Sequence, residues 1–382
     1  MKIITIVIIL LAHAVSPYTS KPPSKRIITI GAALLSKQLT IALAFGLPPI
    51  TTSSTLDING NHSFISHQTD NYCRASVTCY NVTPTNISIG GITYYKSYYD
   101  QVKIGNFTLP NTQLVEANNG FNRGIMGLGK QRVSNKDSNI LTKMNNESLI
   151  ASQIIGINID NDLSQISFGG LNMKLFRFYN MIWIPSVSTY EWEATIDAIE
   201  IGDGRFESKS VLISTTSNNI TLPSEDYDLL MDIIKKNTYY CNEMFSYCYM
   251  SDYNILPPLY ITIKGKKIKV PISYYMTVLS SSLKKCYRKG IKFLCSYDFN
   301  ISLSFKRGNR WVFGTDILKK FYIGLNYKDN MIGLAPRKEP LFAKTQTLDT
   351  VIVVVSVLMG VGMLIVAFIF IEKYCMKCRI KK

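Results

Sequence analysis

The side chains able to do chemistry in this 382-residue chain are unevenly spread, and their spacing excludes more than it offers. Only His13, His62 and His67 could act as imidazole bases or metal ligands. His62 and His67 lie in a Ser- and Asn-rich stretch without zinc-type spacing, so no metal site is read. Ser53, Ser54 and Ser214 have no recognisable base partner, which removes a nucleophilic triad. Hydrolysis by paired carboxylates needs two acids about 3 Å apart that share one proton, because like charges so close cannot both ionise. Yet Asp57 is the first acid of the chain, and no Asp or Glu occurs between Glu207 and Glu225. No cofactor motif accompanies these residues, and none is expected.

The elements that would position such groups are bracketed by two apolar segments. Lys2, an apolar run to Leu11 and the small-x-small pattern Ala12-His13-Ala14 read as a signal peptide over 1–16. Residues 350–371 carry no charge, and at about 1.5 Å per residue they reach across roughly 30 Å of hydrocarbon. Lys373, Lys377, Arg379, Lys381 and Lys382 follow, which places a tail at 372–382 in the cytosol. The expectation is a single-pass membrane protein of the secretory pathway, with a stalk at 338–349. The lipid bilayer is its partner through 350–371, and its ectodomain faces the lumen, cell surface or a lysosome-like compartment.

Seven Asn-x-Ser/Thr sequons, at Asn61, Asn81, Asn86, Asn106, Asn146, Asn219 and Asn300, all fall between those segments. Six of the eight cysteines, Cys73, Cys79, Cys241, Cys248, Cys286 and Cys295, do so too, and an even count in an oxidising compartment favours three disulfides. Cys375 and Cys378 would be cytosolic. The net charge of +16 is scattered among Asn, Ile and Tyr without a recognition motif, so nucleic acid is not expected as a partner. Short runs rich in Ile, Val, Tyr and Thr, such as Gln101-Val-Lys-Ile-Gly105 and Leu259-Tyr-Ile-Thr-Ile263, predict a mainly β fold. One helix is expected over 224–236, capped by Ser224 and favoured by Glu225 and Asp226 near its positive end.

Several strings, in order, carry a family resemblance. Phe121-Asn-Arg-Gly-Ile-Met-Gly-Leu-Gly129 resembles F-D-G-I-L-G-L-G of the pepsin-like aspartic peptidases, and Ser167-Phe-Gly-Gly170 resembles the end of their S-L-T-F-G-G. Tyr190-Glu-Trp-Glu-Ala-Thr-Ile-Asp-Ala-Ile-Glu-Ile-Gly202 and Leu256-Pro-Pro-Leu-Tyr-Ile-Thr-Ile-Lys-Gly265 match two further strings. The most specific is Trp311-Val-Phe-Gly-Thr-Asp-Ile-Leu-Lys-Lys-Phe-Tyr322 with Asn330-Met-Ile-Gly-Leu-Ala-Pro336. The resemblance implies a bilobal pepsin-like acid protease fold, with lobes at 17–182 and 183–337 and a cleft for an extended peptide; the expected transmembrane helix at 350–371 would follow it. Ile125-Met126-Gly127 and Val312-Phe313-Gly314 would mark related positions in the two lobes.

Against the family pattern the catalytic positions read as degenerate. Val211-Leu-Ile-Ser-Thr-Thr-Ser-Asn-Asn-Ile-Thr-Leu-Pro223 aligns without gaps to A-I-I-D-S-G-T-S-L-I-T-L-P, which puts Ser214 at the Asp and Thr216 at the loop Gly. In the first lobe, matching Ile30-Gly31 and Gln38 to I-G-T-P-x-Q puts Ala44-Phe-Gly-Leu-Pro48 over D-T-G-S-S; Ile50-Thr-Thr-Ser-Ser54 is the looser alternative. Asp57 is the nearest acid, but Ile58-Asn59 follows it where the family has Thr-Gly, so it is set aside. The flap string Ile87-Ser-Ile-Gly-Gly-Ile-Thr93 has Ile89 at the family's Tyr. The expected cleft residues are Gly46, Ile89, Gly90, Thr216 and Ser217. The resemblance also implies a Cys73–Cys79 bond, with two further bonds of open pairing in the second lobe. The resulting expectation is an inactive homologue that binds peptides or extracellular proteins, with an active aspartic endopeptidase as the alternative.

Overall fold

The computed structural model describes residues 27–60, 63–65, 73, 76–89, 92–117, 124–130, 139–238, 240–242, 247–252, 255–289 and 292–337. Short strands with alternating burial dominate, as in Glu193–Ile201, where Ala194, Ile196 and Ala198 face the core while Thr195 and Asp197 face out. Side chains of period two bury one face of a sheet, and each buried Ile or Leu contributes about 1.5–3 kcal/mol.

Among the described residues one sheet has thirteen strands. Its order is Ile182–Pro185, Met331–Pro336, Phe321–Asn326, Ile154–Asn158, Ser164–Phe168, Ile28–Leu35, Gln38–Phe45, Ile50–Asp57, Gly124–Gly127, Phe64–Ile65, Phe107–Ala117, Ile92–Ile104 and Tyr80–Ile89. The last strands of the chain thus pair with strands from its first half, Tyr322 opposite Asn158 and Asn326 opposite Ile154. A seven-stranded sheet holds Gly204–Ile213 between Glu193–Ile201 and Trp311–Phe313, and a four-stranded sheet is built on Met276–Lys289 and Lys292–Leu303. At the expected boundary of the two lobes, a short 3-10 turn at Phe178–Asn180 precedes the strand Ile182–Pro185.

The helix expected in the second half runs Ser224–Lys235 and buries Tyr227, Leu230, Met231 and Ile234 at helical spacing. Ser224 does not cap it: Pro223 is the N-cap and makes no side-chain cap bond, so Ser224 is the first helical residue. Asp226, in its first turn, accepts from Trp311 Nε1 at 2.6 Å and pairs with Lys209 at 2.9 Å, which ties the helix to two strands of the seven-stranded sheet.

The disulfides Cys73–Cys79 and Cys241–Cys248 are formed. The strand register sets Cys286 opposite Cys295. Of the sequons, Asn106 and Asn146 are exposed, Asn219 is half-buried, and the amide oxygen of Asn300 is buried without a partner. Asn61 lies outside the described residues, whereas Asn81 and Asn86 lie in the strand Tyr80–Ile89. No helix among the described residues is long and apolar enough to cross a membrane. Segments 1–16, 338–349, 350–371 and 372–382 lie outside those residues, as do His62, His67, Cys375 and Cys378.

Candidate active site

The two loops that would carry catalytic acids are identified by the strands that deliver them. In the second lobe, Gly204–Ile213 pairs in parallel with Trp311–Phe313, Ile213 opposite Phe313, and Ser214 is the next residue out. Its main-chain N–H donates to Phe313 O at 3.0 Å. In the first lobe, Ile50–Asp57 pairs in parallel with Gly124–Gly127, Leu56 opposite Met126 and Asp57 opposite Gly127. Phe313-Gly314 and Met126-Gly127 are the related strings of the two lobes, so Leu56 corresponds to Ile213 and Asp57 to Ser214. The first catalytic position holds an acid after all.

This corrects the assignment of Ala44. Ala44 lies inside the strand Gln38–Phe45, opposite Thr51 on one side and Lys103 on the other. The stretch Ile50-Thr-Thr-Ser-Ser54 belongs to the strand that leads to Asp57, not to a loop. Gly46 is not a cleft residue either. Its φ of 73° turns the chain between those strands, its N–H donates to Gln101 O at 3.0 Å, and its carbonyl accepts from Gln101 Nε2 at 2.8 Å. The signal for Asp57 was present: reading Gly46-Leu47-Pro48 as the family's Gly-Thr-Pro places Asp57 at the end of the next strand.

Asp57 is half-buried, and its Oδ1 accepts from the Asn59 N–H at 2.9 Å. Burial raises its carboxyl above the ordinary value of 3.8; main-chain bonds from Asn59 and Gly60 oppose this, and the Glu191 charge adds to it. The chain passes so close at Gly60 that a Cβ there would lie 2.5 Å from Asp57 Oδ2. A side chain at residue 60 would push the carboxylate out of place.

Ser214 is buried at 5% exposure. Its Oγ accepts from the Ser217 N–H at 3.1 Å and lies 3.2 Å from Thr216 Oγ1. Thr216 and Ser217 thus lie against Ser214. Ile89 ends the strand Tyr80–Ile89, opposite Ile92, so the flap hairpin is formed, while Gly90 lies outside the described residues.

Two residues that sequence reasoning missed lock the loops together. Thr215 Oγ1 donates to Leu56 O at 2.6 Å and accepts from the Ile58 N–H at 3.4 Å. From the first lobe, Asn59 Nδ2 donates to Ile213 O at 2.8 Å, and Asn59 Oδ1 accepts from the Trp192 N–H at 2.8 Å. The corresponding carbonyls of Leu56 and Ile213 thus each receive a donor from the opposite loop. Ile58, at the position matching Thr215, has no hydroxyl to give. Asn59, one residue on, supplies the missing donor.

A second grip lies beside Ser214. Ser36 and Lys37, both at positive φ, make the tight turn between Ile28–Leu35 and Gln38–Phe45. Lys37 Nζ pairs with Asp316 at 3.1 Å, Lys37 O accepts from Thr315 Oγ1 at 2.6 Å, and Gln38 Nε2 donates to Thr216 O at 3.3 Å.

Chemically the arrangement offers one titrating carboxyl and one hydroxyl at the ends of two strands with like pairings. Among the described residues no group of three or more His, Cys, Asp or Glu could hold a metal ion. A mainly β body whose two strand-end loops lock across from one another, one bearing Asp, defines an aspartic-peptidase-like protein. The chain belongs to the eukaryotic aspartyl protease family, whose model matches residues 51–337. The match takes in Asp57 and Ser214 and begins after Ala44.

Similar proteins include a probable aspartic-type endopeptidase of Arthroderma otae, 26% identical over 56% of this chain and 55% of its own length. Pepsin-3 of Oryctolagus cuniculus is 24% identical over 62% of each chain, and cathepsin E of Rattus norvegicus is 24% identical over 62% of this chain and 61% of its own. The chain thus spans between a half and two thirds of the length of these relatives.

Proposed function

We propose that this protein binds an extended peptide, or an extended segment of an extracellular protein, between its two lobes without hydrolysing it. It does so as a membrane-anchored protein of the secretory pathway, held in the bilayer through 350–371. The observation that carries the reading is Ser214. A water molecule attacking a peptide carbonyl needs one ionised carboxylate to take its proton and one protonated carboxyl to polarise the carbonyl. Asp57 can fill one role; the Ser214 hydroxyl does not ionise in the working range and cannot share a proton with it. The locked loops and the flap hairpin support retention of a peptide-binding cleft, and the two disulfides suit an oxidising compartment.

A second reading, an active aspartic endopeptidase, draws on Asp57 and on the printed names of the relatives. Cleavage of an unstructured protein by the full-length chain between about pH 3 and 7 separates the two. The binding reading expects no turnover, together with saturable binding of a transition-state inhibitor of aspartic peptidases. Inhibitor-sensitive turnover by the unmodified protein would overturn it.

A further inference from the structure

A pocket of about 350 Å³ is walled in part by Lys130, Thr142, Gln153, Thr189 and Tyr327. Lys130 is only 7% exposed. Its ammonium donates to Ser186 Oγ and to Ser188 O, each at 2.6 Å, and lies 4.4 Å from the centre of the Trp192 ring. All three partners are neutral. Among the described residues no carboxylate reaches ion-pair distance of it.

The nearby acids are committed elsewhere. Glu191 makes a two-pronged pair with Arg310 at 2.6 and 2.9 Å, and Glu193 Oε1 accepts from Ser210 Oγ at 2.8 Å. Burial lowers the Lys130 ammonium to about 8, with Glu193 only partly offsetting it. A buried cation without a counterion is costly, and an anion that enters the site removes that cost. The Thr142 and Thr189 hydroxyls and the Gln153 amide have no hydrogen-bond partner among the described residues and line the same pocket.

We propose that this pocket is a binding site for a small hydroxylated monocarboxylate, whose carboxylate pairs with Lys130 and whose hydroxyls meet Thr142, Gln153 and Thr189. One lysine supplies a single positive charge as a compact point donor, which matches a monoanion; a phosphate dianion would call for a second cation, and among the described residues the walls hold none. The cavity is at the small end of ligand pockets and has ample room for a monocarboxylate of a few carbons. The site is separate from the peptide cleft and does not depend on whether the cleft hydrolyses. It is connected to the cleft through one residue, since Trp192 donates its N–H to Asn59, whose own N–H holds Asp57.

The test is equilibrium dialysis of the full-length protein in detergent against radiolabelled lactate, at constant ionic strength set with chloride. One lactate should bind per chain at pH 6, and unlabelled chloride or phosphate at matched ionic strength should not displace it. Lys130→Met should weaken binding by about tenfold or more, the loss expected when a charge-assisted hydrogen bond is removed. Should that variant fail to fold, the wild-type protein still decides the matter. Binding should fall as pH rises from 6 to 10 and Lys130 loses its proton, while Tyr327 is held well above its ordinary value by burial; the other charged groups nearby, Glu191 and Glu193, are tied to Arg310 and to Ser210. Absence of binding above a chloride control, binding unchanged by Lys130→Met, or binding independent of pH over that interval would each overturn the assignment.

Discussion

Asn59 and Thr215 make reciprocal grips on each other's lobe: Asn59 Nδ2 donates to Ile213 O at 2.8 Å, and Thr215 Oγ1 donates to Leu56 O at 2.6 Å. Each carbonyl sits one residue before a catalytic position, so the two bonds fix Asp57 and Ser214 relative to one another. Thr215→Val keeps the shape and removes the hydroxyl, leaving Leu56 O and the Ile58 N–H without their partner. A buried polar group left unpaired costs about 1–3 kcal/mol, so a loss of about 2 kcal/mol or more is expected in denaturant unfolding. Asn59→Ala should lose a comparable amount. A Thr215→Val protein as stable as wild type would show that the bond does not hold the loops.

Ser214→Asp tests whether the second position is still built for a carboxylate. The Ser217 N–H and Thr216 Oγ1 already converge on Ser214 Oγ, and donors of this kind would hold an Asp side chain. The variant is expected to gain slow, inhibitor-sensitive cleavage of an unstructured protein at acid pH, where the proposed function expects none from the unmodified protein. Adding Asp57→Asn to the same variant should abolish the gain. Cleavage by Ser214→Asp that survives Asp57→Asn would remove Asp57 from the first catalytic position.

The raised pKa of Asp57 ties stability to pH in a defined direction. The folded protein holds this proton to higher pH than the unfolded chain does, so the contribution is fully present below the ordinary value of 3.8 and is lost as pH rises through the folded value. Asp57→Asn cannot ionise. It should therefore be more stable than wild type at pH 7, with the difference shrinking as the pH falls toward 3.8. Thermal unfolding of both proteins across that range measures it, and a gap that widens on acidification would contradict the burial of the carboxyl.

Cys286 and Cys295 face one another in register on adjacent strands, while Cys241 and Cys248 are already joined. Of the pairings left open by the sequence for the second lobe, this leaves Cys286–Cys295. Peptide mapping without reduction should recover these two cysteines as one linked pair. Recovery of Cys286 linked to Cys241 or Cys248 would refute the register.

The legible parts of the chain were those where local strings survived intact. The mainly β character and the helix after Pro223 were legible, since apolar spacing and an acidic first turn are local properties. The second loop aligned without a gap, and Ser214 follows the strand Gly204–Ile213 with the Ser217 N–H and Thr216 Oγ1 against its Oγ. The first loop failed because Ile28–Leu35, Gln38–Phe45 and Ile50–Asp57 are three successive strands of equal length, the first two apolar and the third, which leads to Asp57, mostly Thr and Ser and so loop-like in sequence. Anchoring on Ile30-Gly31 shifted the reading by a whole strand and landed on Ala44. Asp57 was also set aside for lacking Thr-Gly behind it. That rule fails here because Asn59 supplies across the lobes the bond that a Thr after Asp57 would have made, and no string around Asn59 announces a contact with Ile213, 154 residues away.

The thirteen-stranded sheet carries a consequence for how the protein is made. Ile154–Asn158 emerges from the ribosome long before Phe321–Asn326, the strand that covers its outer edge. Until then that edge presents free main-chain donors and acceptors and the apolar Ile154, Ile155 and Ile157 to any other chain in the vicinity. Pairing between distant segments is slow, because the loop between them must close first. The first half of this protein must therefore wait, incomplete and prone to stick, for the last strands to be synthesised, and a chain cut short before residue 321 would keep its open edge permanently.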